Sequence, residues 1–151
     1  MGGLRKALQG QKVYLDANIF IYTLEGIESW ATVLQDVFSG LITGELSSVS
    51  SSLSLSECLV LPFKQNKNNL VTVYREALLS NHYLTIAPIN DRILISAANI
   101  RAQTGLKLPD AIHAATALTH ECTVMLTNDA GFKRVSGIDL FLLSDWITTG
   151  C

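Results

Sequence analysis

Leu106-Lys-Leu-Pro-Asp-Ala-Ile-His-Ala-Ala-Thr-Ala-Leu118, followed closely by Thr123-Val-Met-Leu-Thr-Asn-Asp129, carries the reading of the fold. Pro109 suits the first position of a helix, because its missing N–H would have no partner there. The helix runs to about His120, and its face of Ala111, Ala114, Ala115 and Leu118 is small enough to approach a sheet closely. Thr123–Leu126 then reads as a short buried strand that ends in Thr127-Asn128-Asp129. A helix feeding a buried strand is half of a parallel crossover unit.

The same alternation extends in both directions. Upstream, Asp91–Thr104 reads as a long helix with Ile93, Leu94, Ala97, Ala98, Ile100 and Ala102 apolar, and Gly105 ends it. Tyr83–Ala87 reads as a strand closed by Pro88. Residues 70–79 read as a helix, and Pro62–Asn69 as a polar connection before it. Leu46–Val49 reads as a strand. Ser54 and Glu57 have the spacing of a capping box, so a helix starts there or one turn earlier at Ser51. Residues 29–38 place Trp30, Val33, Leu34, Val37 and Phe38 at helical spacing, with Gly40 as the expected stop. Val13–Leu15 reads as a first strand ending at Asp16, and Asn18–Leu24 as the helix after it. Downstream, Ile138–Leu143 reads as the last strand. The expectation is one α/β domain over residues 13–147, preceded by an N-terminal extension, residues 1–12. Its core is a parallel sheet of about five strands with helices on both faces.

Composition is compatible with this. The 151 residues are 48% hydrophobic and 16% charged, which suits a single core and argues against disorder. No apolar run reaches the ~18 residues of a membrane span, and the start lacks a secretory apolar stretch, so a cytoplasmic protein is expected. Cys58, Cys122 and Cys151 are odd in number and widely spaced, which fits reduced thiols better than disulfides or a zinc site. The net charge of −2 gives no support for a nucleic-acid partner; divalent ions at an acidic site would supply part of the missing positive charge.

Four acids stand where such a sheet would bring them together. Ligands of open parallel sheets sit beyond the carboxyl ends of the strands. Asp16 follows the first strand, Asp129 the fourth, and Glu57 lies in the helix after the second. Asp110 begins a crossover helix, which runs antiparallel to the strands, so its N-terminus lies at the same edge. Each acid also has a purely structural role open to it. Asp16 can cap the following helix, Glu57 can serve the Ser54 capping box, Asp110 can favour its helix dipole, and Asp129 can hold a turn. Together they make a cluster of like charges that calls for a cation or raised pKa values, and hard oxygen donors suit Mg2+ or Mn2+. Around them, Asn18 can hold a metal-bound water or cap its helix, and Thr127 can bond a ligating carboxylate or simply be a strand residue. Lys107, Lys133 and Arg134 can contact phosphates or be solvated charge. His113, one turn after Asp110, reads as a histidine packed near the sheet rather than a ligand. His82 and His120 read as surface or loop residues.

Such a site permits hydrolysis of a phosphodiester. The carboxylates would hold one ion, or two roughly 3.5–4 Å apart, which polarise the phosphate and activate water. No histidine pair suggests attack through the 2′-hydroxyl, so products with a 5′-phosphate and a 3′-hydroxyl are expected. A response-regulator receiver also gathers acids at strand ends, but calls for a lysine after its last strand, where this chain has Ser144-Asp145. A haloacid-dehalogenase-like phosphatase calls for Asp-x-Asp, where this chain has Asp16-Ala17-Asn18.

These residues resemble the PIN domain family, especially the VapC-type toxins, over about Val13–Leu143. Val-Tyr-Leu-Asp-Ala-Asn-Ile-Phe-Ile-Tyr from Val13 is similar to the family's first motif, with Asp16 and Asn18. Ser51–Val60 is similar to the second, with Glu57; Leu106–Leu118 gives Asp110; and Leu126–Phe132 gives Asp129, with Thr127 at the hydroxyl position. The resemblance implies a Mg2+- or Mn2+-dependent ribonuclease with an RNA substrate, a homodimer, and in toxin members an antitoxin partner. A PIN-fold RNA-processing nuclease outside a toxin system and a non-catalytic metal-binding interaction module are the alternatives.

Overall fold

The computed structural model describes residues 3–147; Cys151 and the first two residues of the expected extension lie outside them. Five parallel strands, β1 (Lys12–Leu15), β2 (Ser47–Ser51), β3 (Thr85–Ala87), β4 (Val124–Thr127) and β5 (Asp139–Leu142), form one sheet in the order β3-β2-β1-β4-β5. In the centre, Val13 lies opposite Ser48 on one side and Val124 on the other, and Leu15 lies opposite Leu126. β1 and β4 are apolar runs because both faces of each are covered.

Seven helices among the described residues cover the sheet. They are α1 (Gly3–Leu8), α2 (Ala17–Leu24), α3 (Glu28–Ile42), α4 (Leu53–Lys64), α5 (Asn68–Leu79), α6 (Asp91–Thr104) and α7 (Leu108–Thr119). The buried side chains fall into two clusters, one per face of the sheet. Val13, Leu15, Val124 and Leu126 join the residues of α1 to α5, while Tyr14 and Met125 join those of α6 and α7. This alternation is the period of two of a strand. Leu4 and Leu8 of α1 are buried in the first cluster, and Arg5 of the same helix bonds Glu45 and Asp36.

α6 matches the expected span. The Asn90 side chain accepts from the Ile93 N–H (3.0 Å), and Gly105 closes the helix at φ 76°, a left-handed conformation that suits glycine. α7 starts one residue earlier than expected, with Pro109 second. Three expectations are corrected. Gly40 does not stop α3, which continues to Ile42. A Cβ there would lie 2.9 Å from Leu46 Cγ and Cδ1, so the missing side chain makes room for Leu46 against the helix. Pro62 does not open a connection. α4 runs through it to Lys64, with Pro62 in its last turn. Ser54 and Glu57 form no capping box, because α4 begins at Leu53 and Ser54 is already inside it, buried, with its hydroxyl 2.8 Å from that of Ser50.

β2 lies further along the chain than the apolar pattern places it, in the serine run itself. Its hydroxyls are satisfied locally, which lets a polar strand sit inside the sheet. Ser50 donates to the Leu15 carbonyl (2.7 Å), Ser48 to the Tyr83 carbonyl (3.2 Å), and Ser51 accepts from the Leu53 N–H (3.0 Å). Cys58 and Cys122 are buried free thiols; burial pushes them up to about 12 and about 11, as inert core residues.

Candidate active site

The strand order reverses direction between β1 and β4, the point at whose carboxyl edge open parallel sheets bind ligands. Asp16 ends β1 at that point. It is the N-cap of α2, with Oδ1 accepting from the Ala17 N–H (2.7 Å), and Oδ2 accepts from the Thr127 hydroxyl (2.7 Å). Thr127, the last residue of β4, is fully buried, and its oxygen also accepts from the Asp129 N–H (3.0 Å). One hydroxyl thus ties the carboxylate after β1 to the backbone after β4. Asp129 caps a short 3-10 helix, Ala130–Arg134, by accepting from the Gly131 N–H (2.8 Å). The capping roles open to Asp16 and Asp129 are therefore filled, and they hold both side chains at the rim.

Asp110 is the third residue of α7. Burial raises its carboxyl above the usual 3.8, the charges of Asp129, Asp16 and Glu57 raise it further, and His113 opposes them. Glu57 faces the group from the second turn of α4, with about a third of its side chain exposed (35%). Asp110 thus senses the charges of the other three acids. Even so, among the described residues no three His, Cys, Asp or Glu side chains already meet closely enough to share an ion. The two observations are compatible, because charge repulsion reaches several ångströms further than a coordination bond of roughly 2.0–2.1 Å. Glu57 is turned towards His113.

The donor set fits a hard divalent cation. It consists of four carboxylates and no thiol, and the carboxyl of Asp110 is raised by burial and then by the other three acids. Asn18 is exposed in the first turn of α2. Lys107 and Lys133 are exposed. Arg134 is exposed but engaged, donating to the carbonyls of Thr104 (2.9 Å) and Gly131 (3.3 Å). The rim is open. Cavities of about 400 and 600 Å³ lie instead at the amino edge, one lined by Leu46, Ser48 and Tyr83, the other by Cys122, Thr123 and Ile138.

Two contacts of His113 escaped the sequence reading. His113 is packed against the sheet as expected, 1% exposed, but its Nε2 stands 2.5 Å from Glu57 Oε1. Its Nδ1 stands 2.5 Å from the Tyr14 hydroxyl. The available signal was Tyr14 itself: a phenol in an otherwise apolar strand must find a partner when buried.

The sequence matches the model of the PIN domain over residues 13–138. Comparison with curated proteins finds no match. Among solved structures, the chain is similar to VapBC2 from Rickettsia felis bound to a fragment of its promoter DNA, at 20% identity and a TM-score of 0.67, covering 87% of this chain and 98% of that one. A toxin–antitoxin complex from Klebsiella pneumoniae is similar at 25% identity and a TM-score of 0.63, covering 87% and 97%. DNA-bound VapBC from Salmonella typhimurium is similar at 22% identity and a TM-score of 0.67, covering 88% and 98%. With a parallel five-stranded α/β fold and a family match over most of its length, the chain belongs to the PIN domain family, whose members are generally nucleases that use divalent metals.

Proposed function

We propose that this chain is a Mg2+- or Mn2+-dependent ribonuclease and the VapC-like toxin of a type II toxin–antitoxin pair. What supports the reading is that Asp16 ends β1 and Asp129 follows β4 at the same edge, where burial and then the charges of Asp129, Asp16 and Glu57 raise the carboxyl of Asp110. These four residues would hold the metal and are the candidate catalytic groups. When bound, a divalent ion polarises the scissile phosphate and lowers the pKa of an attacking water. Thr127 fixes the rotamer of Asp16, and Asn18 stands beside it at the start of α2. Lys107 and Lys133 are free to meet RNA phosphates, while Arg134 reaches them only from the place where Thr104 and Gly131 hold it. The toxin assignment is supported by solved relatives that are toxin–antitoxin complexes. An antitoxin would cover the acid rim, where an arginine side chain matches the carboxylates. The active form is a homodimer in the cytoplasm; no helix among the described residues is long and apolar enough to cross a membrane.

The test is incubation of the purified protein with a panel of RNAs in Mg2+ or Mn2+, and then in EDTA. Metal-dependent cleavage leaving 5′-phosphate ends is expected. Cleavage that persists in EDTA, or ends carrying 2′,3′-cyclic phosphate, would overturn the metal mechanism. Metal binding without cleavage of any RNA would favour a non-catalytic module. Expression of the chain alone should slow host growth, and co-expression with the product of a neighbouring gene should relieve it. Absence of both effects removes the toxin assignment and leaves the ribonuclease.

A further inference from the structure

His113 links α7 to side chains of two other elements, β1 and α4. It lies on the buried face of α7, one turn after Asp110; Tyr14 reaches it from the centre of β1, and Glu57 from α4. Tyr14 is 0% and His113 1% exposed, so neither ring nitrogen has water as an alternative partner. The chemistry of the three groups orders the protons. An ionised carboxylate only accepts hydrogen bonds, so Nε2 must carry a hydrogen to bond Glu57. A neutral imidazole then has an acceptor at Nδ1, and the group facing it must be a donor. The Tyr14 hydroxyl is that donor.

We propose that Tyr14 and His113 form a buried strut that positions Glu57 in the acid cluster, with the Tyr14 hydroxyl fixing the imidazole in its Nε2–H form. Both are positioning residues; neither touches substrate. Without the hydroxyl, the Nε2–H form loses its preference. The alternative form turns a lone pair towards the Glu57 carboxylate, which repels it and swings the side chain away. The same logic governs ligands in known metal sites, where the outer partner of a ligating group fixes its orientation. The step from Glu57 to the metal rests on the function proposed above; the proton order within the strut does not.

The decisive experiment pairs nitrogen-15 NMR of the histidine rings with Mn2+ titration read by paramagnetic resonance of the free ion. It uses the full chain, Tyr14→Phe, His113→Gln and His113→Leu. At about pH 8, above the ordinary histidine range, His113 of the unmodified protein should be neutral with its proton on Nε2. Tyr14→Phe keeps the ring that fills the core and should give a mixture of the two neutral forms. Its Mn2+ affinity should fall about tenfold, the lower end for an outer partner of a metal ligand. His113→Gln, whose amide can take both bonds, should keep more affinity than His113→Leu. An Nδ1–H or doubly protonated His113 in the unmodified protein would overturn the strut. So would equal Mn2+ affinity in the parent and Tyr14→Phe. If Tyr14→Phe does not fold, a comparison of the two His113 variants decides, and equal affinities count against the proposal. If the unmodified protein binds no Mn2+, the metal site fails, and the NMR result alone decides the strut.

Discussion

Asp110 is where the structural and functional demands on one residue separate. In the first turn of α7 its negative charge is favoured by the helix dipole, by about 0.3–1 kcal/mol. Partial burial and the three other acids oppose that gain and raise its carboxyl. A carboxyl raised in the folded state binds its proton more tightly there than in the unfolded chain. Stability in the absence of metal therefore falls as pH rises from the ordinary value of 3.8 to the raised one, and stays reduced above it. Asp110→Asn removes this penalty. In EDTA near neutral pH it should be as stable as the parent or more stable, by no more than about 1 kcal/mol given the solvation of the carboxyl. The advantage should shrink as pH is lowered towards 3.8. RNA cleavage should be lost at every pH. Urea unfolding across pH reads the sign; a variant less stable than its parent at neutral pH would show that the helix dipole outweighs the cluster.

At the scale of elements, the departures from the apolar pattern have local causes. α3 passes its expected stop because Gly40 serves packing rather than termination. Gly40→Ala should gain close to 1 kcal/mol of helix propensity. The new Cβ, 2.9 Å from Leu46 Cγ and Cδ1, would force the buried Leu46 to move, at a cost of about 1–3 kcal/mol. A net loss of about 1 kcal/mol is expected in urea unfolding. The double variant Gly40→Ala, Leu46→Ala should lose less than the sum of the two single changes. Additive losses would mean that Gly40 and Leu46 do not oppose each other. β2 makes the complementary point. Val49 is the sole apolar residue of its Ser-Ser-Val-Ser-Ser sequence, and partners on β1, α4 and the segment before β3 make the strand viable.

For the whole molecule, the sheet order sets the consequence. A crossover from β3 to β4 carries the chain across β2 and β1, so the carboxylates of β1 and β4 end side by side. A cation held there by the folded chain, and not by the unfolded one, stabilises the fold by mass action, about 2.7 kcal/mol at a hundredfold excess over its Kd. Excess Mg2+ should therefore raise the unfolding midpoint of the parent over that in EDTA, and Asp110→Asn and Asp129→Asn should lose most of the gain. Equal stabilisation of all three proteins by Mg2+ would mean that these acids do not hold the metal.

The sequence by itself determined the class of fold and the placing of Asp16, Asp110 and Asp129 at a strand end, a helix start and a turn. Alternating apolar strands and amphipathic helices admit few arrangements other than a parallel sheet, and each acid sits beside a signal readable within a few residues: a strand end, a helix start, a turn. The span of α6 was legible for the same reason, since Asn90 and Gly105 act on their own neighbours. What required the tertiary structure were relations between residues far apart in the chain. Thr127 lies 111 residues from Asp16, and His113 lies 99 from Tyr14 and 56 from Glu57. Gly40 is explained by Leu46 and Arg5 packed against it, and the serines of β2 by carbonyls on other segments. Periodicity reports which face of an element is apolar, but a hydrogen bond or a close approach depends on which atoms of two elements meet, and only packing decides that.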